Sequence, residues 1–170
     1  MTATRESICP GCGLGMPASN TAVYDGYYNT SPECWEVYTE VLGSEFSNAV
    51  LFGQVHQMTV DTYAIQHAGG THPDKSVTVH LVGLHVMFER GIRPPNVARY
   101  LQRLAAKIER WPHFPPPVET GALTVFDVAL CGSDEEHANK VKEWAGSVWQ
   151  GWSQYHAEVA ALISHHLERA

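Results

Sequence analysis

The sequence predicts a mainly α protein: a helical bundle of about five helices, fronted by a segment with a cysteine knuckle and a short β-hairpin. Three observations lead there. Apolar residues recur at helical spacing through most of the chain after residue 32. Helix stops fall between those stretches, at Gly69-Gly70, at Gly91 and Pro94-Pro95, and through the Pro-rich run from Trp111 to Gly121. Ahead of the first helix lies a glycine-rich run with two cysteines two residues apart.

That run is Cys9-Pro10-Gly11-Cys12-Gly13. Two thiolates at this spacing can grip one tetrahedral ion, and the sequence reads as a zinc knuckle. A redox pair of the thioredoxin type would open a helix, which Gly11, Gly13 and Gly15 disfavour. Val23 to Tyr28 follows, with Asp25-Gly26 between aromatic and β-branched residues, and predicts a hairpin with a type I′ turn. Ser31-Pro32-Glu33-Cys34 supplies an N-cap, a proline in the first turn and a third cysteine at a helix N-terminus, where a thiolate is favoured. Knuckle, hairpin and helix-start cysteine resemble a treble-clef zinc module. Such a module draws a second ligand from the same turn, and Val37 and Tyr38 cannot serve. The fourth ligand must come from elsewhere.

The first helix is expected over about Pro32–Glu45, with Trp35, Tyr38, Val41 and Leu42 as its stripe. A turn near 43–48 leads to a second helix that runs to about Ala68. Its stretch Val55 to His67, VHQMTVDTYAIQH, interrupts an apolar helix with His56, Asp61, Tyr63, Gln66 and His67. His56 and His67 are eleven residues apart and so share one stripe, three turns from each other. An antiparallel pair of helices would bring one of them to Cys34. The metal ligands are therefore expected to be Cys9, Cys12, Cys34 and His67, with His56 as the alternative fourth ligand, and zinc as the cofactor. A closed site of three thiolates and one imidazole is structural, because that much donated charge depresses Lewis acidity.

The third helix, Ser76–Glu89, is apolar nearly all round, which predicts burial and places His80 and His85 inside. The fourth spans Asn96–Arg110, with Val97, Tyr100, Leu101, Leu104 and Ile108 as its apolar face. Leu123 to Val128 alternates like a strand. Ser133 and Glu136 form a capping box for a last helix that runs to the C-terminus, bends at Gly146 or Gly151, and buries Trp144, Val148, Trp152, Tyr155 and Val159. His72, His113, His137, His165 and His166 are expected at the surface, and Cys131 as a free thiol.

The ordered motifs CPGCG, YDGYY, SPECW, VHQMTVDTYAIQH, VHLVGLH and WAGSVWQGW resemble a family of small bacterial proteins of unknown function, marked by CPGCG, ECW and VDxYxxQH. The resemblance implies that Cys9, Cys12, Cys34, His56, Asp61, Tyr63, Gln66 and His67 belong to a shared constellation, and it implies no substrate. The chain departs from the pattern at Ala68-Gly69, where a proline is expected.

Length and composition set the remaining bounds. The 170 residues suit a single domain, with a knuckle and hairpin module over 1–34 packed on a bundle over 32–170. A net charge of -7 without a Lys/Arg cluster argues against nucleic acid. No apolar run approaches the ~20 residues that span a membrane, and the N-terminus lacks a signal peptide's apolar core. A cytoplasmic protein is expected, and four cysteines in that compartment favour metal or redox chemistry. No P-loop, dinucleotide fingerprint, HExxH or GxSxG is present. Two functional expectations remain. One is an interior small-molecule site of hydrolase or transferase type, with Asp61 and His56 as catalytic residues. The other is a non-catalytic, zinc-stabilised adaptor that binds a protein partner through exposed aromatics of the hairpin, its tyrosines among them, and the Pro-rich strap.

Overall fold

The computed structural model describes residues 5–24 and 26–168. Two short strands, β1 (Glu6–Ile8) and β2 (Gly15–Pro17), pair antiparallel with Ile8 opposite Gly15. The helices are α1 (Pro32–Phe46), α2 (Ala49–Gln66), α3 (Asp74–Arg90), α4 (Pro94–Ala105), α5 (Val125–Ala129), α6 (Asp134–Gly151) and α7 (His156–Ile163). Five are long and two short. Among the described residues, no helix is long and apolar enough to cross a membrane.

α1 starts where the sequence places it, with the Ser31 hydroxyl accepting from the Cys34 N–H at 3.2 Å. Ser47 and Asn48 then reverse the chain, and the Asn48 side chain caps α2 by accepting from Val50 and Leu51. α2 packs against α1, α3, α4 and α6, which makes it the central helix. Its ten buried residues spread around its circumference for that reason. α3 crosses it so closely that a Cβ on Gly83 would run into Asp61 Oδ2. The core between these helices includes Val55, Ile65, Leu81, Leu84, Leu104, Trp144 and Trp152, all fully buried.

Three expected elements differ. The hairpin does not form at Val23 to Tyr28: the described residues there are bends and coil, and Asp25 of its expected turn lies outside the described residues. The strands instead flank the knuckle, so Cys9 to Leu14 is the hairpin loop, closed by Cys9 N–H to Leu14 O at 2.8 Å. Leu123 to Val128 is not a strand. Thr124 and Asp127 form a reciprocal capping box that starts α5, and Val125 and Val128 bury themselves at helical spacing. The last helix breaks after Gly151 into a 3₁₀ turn at Ser153–Tyr155 before α7. A π-helical turn at Ser164–Glu168 follows, and the last two residues lie outside the described ones.

Residues 111–121 form an irregular strap, as expected, and the fully buried Gln66 fastens it. Its amide donates to Thr120 O (3.1 Å) and Leu123 O (2.7 Å), while its oxygen accepts from Trp144 Nε1 (2.9 Å). Replacing it with leucine leaves the buried Trp144 Nε1 and two half-buried carbonyls without their partner. Gln66→Leu should cost at least ~1–3 kcal/mol, the range for one such orphan. Urea denaturation checks this, and an unchanged midpoint would mean the strap is held by other contacts.

Candidate metal centre

Three stretches of chain converge at one point. The hairpin loop brings Cys9 and Cys12, the first turn of α1 brings Cys34, and the C-cap of α2 brings His67. Their four ligand atoms all lie within 4.8 Å of one another. Cys12 Sγ is 3.8 Å from Cys34 Sγ, and Cys34 Sγ is 3.5 Å from His67 Nε2. A tetrahedral zinc ion has edges of about 3.8 Å between sulfurs and about 3.6 Å from sulfur to nitrogen, from Zn–S and Zn–N bonds of about 2.3 and 2.0–2.1 Å. The residues present fit such an ion, and a Cys₃His set of this kind could hold it.

The imidazole is oriented for the task. His67 Nδ1–H donates to Tyr63 O at 2.8 Å, which leaves the Nε2 lone pair facing the sulfurs. The His67 carbonyl accepts from Asn29 N–H (2.9 Å) and from His72 Nδ1–H (3.2 Å). The Ser76 hydroxyl donates to His72 Nε2 at 2.8 Å, and burial pushes the His72 pKa down to about 4, so this ring is neutral. Tyr63 packs between Tyr38 and His67, at ring separations of 3.8 and 3.9 Å. Its hydroxyl lies 2.8 Å from Thr30 Oγ1 and donates toward Cys34 Sγ at 3.7 Å. Burial raises its pKa and keeps it a donor.

Electrostatically the four groups behave as one unit. The Cys9 thiol is pulled far below its ordinary range by Cys12 and Cys34, while the same crowding drives Cys12 up. Burial opposes charge on His67, yet Cys34 and Cys9 outweigh it and push its pKa up to about 9. A divalent ion held here would bind in exchange for shared protons.

The remaining candidates lie elsewhere. His56 donates Nδ1–H to Glu45 Oε2 at 2.7 Å and stacks on Phe52, outside the cysteine cluster. Asp61 is fully buried and accepts at Oδ1 from His80 Nδ1 (2.7 Å) and Gln57 Nε2 (2.9 Å); its Oδ2 has no partner among the described residues. Burial raises the Asp61 pKa against the pull of His80 and Gln57. Five residues apart on a helix, His56 and Asp61 point about 140° away from each other. They serve different neighbours.

Sequence reasoning missed Glu45, which is fully buried and accepts from His56, from Thr59 Oγ1 at 2.5 Å and from His137 Nε2 at 3.1 Å. The signal was available, since position 45 continues the apolar stripe of Tyr38, Val41 and Leu42. His137 and His72, both expected at the surface, are buried. His137 reaches Glu45 from α6, and His72 turns inward to the His67 carbonyl. Glu33 was also missed. It pins both ends of the hairpin to α1, accepting from Ser19 N–H (2.8 Å) and the Ser7 hydroxyl (2.7 Å), which together lower its pKa.

The knuckle lies directly on His67. A Cβ on Gly11 would run into Asn29 O and come within 2.6 Å of His67 Cδ2. Gly11→Ala should therefore lift the loop and lower stability by about 1–3 kcal/mol, the usual range for overpacking. Melting curves with and without a chelator test the cause. The gap from the parent should close once metal is stripped, and a gap that persists would place the damage elsewhere.

The comparisons with known proteins bear on this arrangement as a whole. No curated protein matches the chain, and no solved structure does. The profile of a family of unknown function, DUF5946, matches residues 7–153, a span that includes the knuckle, Cys34, all of α2 and the strap. The chain belongs to the DUF5946 family of unknown function.

Proposed function

We propose that this chain is a zinc-stapled binding module, in which a closed Cys9, Cys12, Cys34 and His67 site fastens the N-terminal hairpin to the helical bundle. The observation that carries this reading is the near-tetrahedral spacing of the ligand atoms, 3.8 Å between two sulfurs and 3.5 Å from sulfur to imidazole. Thiolates with one imidazole suit zinc better than the harder divalent ions, which take oxygen ligands. Four protein donors leave no open position for a substrate, so the centre contributes folding energy.

Binding then falls to the surface that the staple creates. A cleft of about 790 Å³ separates the knuckle from the strap and α6, lined by Pro10 to Gly13, by Val118 to Ala122, and by Ser147, Gln150 and Gly151. Four of its twelve lining residues are glycines and none is a histidine, which suits recognition of a partner more than acid–base chemistry. The tyrosines expected to bind a partner are largely occupied. Tyr24 and Tyr28 pack on Trp35, and Tyr27 is the half-exposed one at 47%.

Cys12→Ser should lose the metal and melt roughly 10 °C lower or more, for a loss of at least ~3 kcal/mol at ~2–4 °C per kcal/mol. Elemental analysis and calorimetry on protein purified without added metal check this. Full metal retention with an unchanged melting temperature would rule out the knuckle as a ligand source.

A second reading, a small-molecule site of hydrolase or transferase type, is favoured by one observation. Asp61 holds His80 by its Nδ1 and carries an unpartnered buried oxygen, and the His80 side chain is 15% exposed. In that reading Asp61 orients His80 as a base, and His56 acts with Glu45 instead. Asp61→Asn should keep both fold and metal, because the amide oxygen still accepts from His80 and Gln57. The sign of its pH dependence follows from the raised carboxyl. The folded state favours the protonated acid, so this contribution is complete below the unfolded pKa of ~3.9 and is lost as pH rises through the folded value. The stability of the variant relative to the parent should therefore improve as pH rises from 4. A variant that unfolds or sheds its metal would exclude a purely functional Asp61.

A further inference from the structure

We propose that Cys12 is the point at which a hydroperoxide oxidises this centre, with Cys34 as the thiolate that converts the product into a disulfide. The inference rests on the metal-centre reading above. Three features of the geometry carry it.

The first is access. Cys9 and Cys34 are 1% and 0% exposed, whereas Cys12 is half-buried and lines the cleft between knuckle, strap and α6. The second is the character of that cleft. Its ionisable side chains are Cys12 and Glu119, and no cationic residue lines it. It offers no cationic side chain to draw in an anion, and a neutral oxidant needs none. The third is the resolving partner. Cys34 Sγ lies 3.8 Å from Cys12 Sγ, in the first turn of α1. Disulfide formation requires that gap to close to about 2.0 Å by movement of the hairpin loop toward α1.

The chemistry balances with the hydroperoxide as the named oxidant. The Cys12 sulfur attacks one peroxide oxygen, the O–O bond breaks, and the departing alkoxide or hydroxide takes a proton from water. Cys12 is then a sulfenic acid. The Cys34 thiolate attacks the Cys12 sulfur, the S–O bond breaks, and hydroxide leaves as the disulfide forms. Two thiolates have lost two electrons, and one hydroperoxide, taking up two protons from solvent in all, has become an alcohol and water. The chain then retains Cys9 and His67, two donors where four held the ion, and the disulfide ties the knuckle to α1 in the metal's place. Cys131 is the other half-exposed cysteine. It donates to Asp127 O at 3.5 Å and lies outside the Cys/His cluster, which makes it the internal control.

The test uses the full chain loaded with zinc, its stoichiometry measured first. Hydrogen peroxide is added, metal release is followed with a chromogenic chelator, and early thiol and disulfide products are mapped by mass spectrometry. The expected result is loss of one zinc per chain together with a Cys12–Cys34 disulfide, both reversed by a dithiol reductant. Gln150→Trp, which narrows the cleft without touching a ligand, should slow release while leaving stoichiometry unchanged. A chain that binds no zinc at the outset overturns the metal reading itself. Zinc that is bound but retained under peroxide overturns this inference alone, as does first oxidation at Cys9, Cys34 or Cys131. So does a Cys9–Cys12 disulfide, or a Gln150→Trp variant that releases zinc at the parent rate.

Discussion

Three sulfurs and an imidazole within 4.8 Å of one another make a costly arrangement for a protein interior unless one ion answers all of them. The surrounding structure is arranged to make that convergence possible. A two-residue turn folds α2 back along α1, so that the end of one helix meets the start of the other. The hairpin carries the knuckle in its loop, and Gly11 lets that loop lie flat on the His67 ring. Glu33, one residue before Cys34, ties down the far ends of the hairpin. Tyr63 and His72 fix the ligand ring and its carbonyl from the other side.

The same logic runs along α2. From Met58 to Gln66 this central helix is buried on nearly every side, so the polar groups there must find partners inside the protein. His56 and Thr59 reach Glu45 on α1, and Asp61 reaches His80 on α3. Tyr63 reaches Thr30 and Cys34, and Gln66 reaches the strap and Trp144 of α6. His67 closes the sequence at the knuckle. Residues that look like a catalytic constellation when written in a row are, in space, separate fasteners for separate neighbours. Asp61 is the partial exception, because one of its oxygens remains unpartnered.

Much of this was legible in the sequence, and the failures have physical causes. The cysteine spacing, the Ser31 cap and the helix stops placed the knuckle, Cys34 and the long helices. The choice between His56 and His67 was not legible. Counting ~1.5 Å per residue from the turn, Cys34 comes level with Asp61, about 8 Å from His56 and about 9 Å from His67. Local geometry leaves a tie, and the knuckle, which lies beyond the start of α1, breaks it toward His67. The hairpin was misplaced because a strong Asp-Gly turn signal sits beside tyrosines that pack instead against Trp35 and His72. At Thr124, six alternating residues fit a strand, but Val125 and Val128 fit a helix equally well, and the Thr124–Asp127 capping box decides it. The pairing of Glu45 with His137 escaped because the two lie 92 residues apart, although Glu45 alone stood out on the apolar stripe of α1.

The account depends on one ion held by three cysteines and one histidine. X-ray absorption at the zinc edge, on protein purified without added metal, examines that directly. The account predicts three sulfurs at about 2.3 Å and one nitrogen at about 2.0–2.1 Å, with no further oxygen neighbour. A first shell of nitrogen and oxygen, or fewer than three sulfurs, would contradict it.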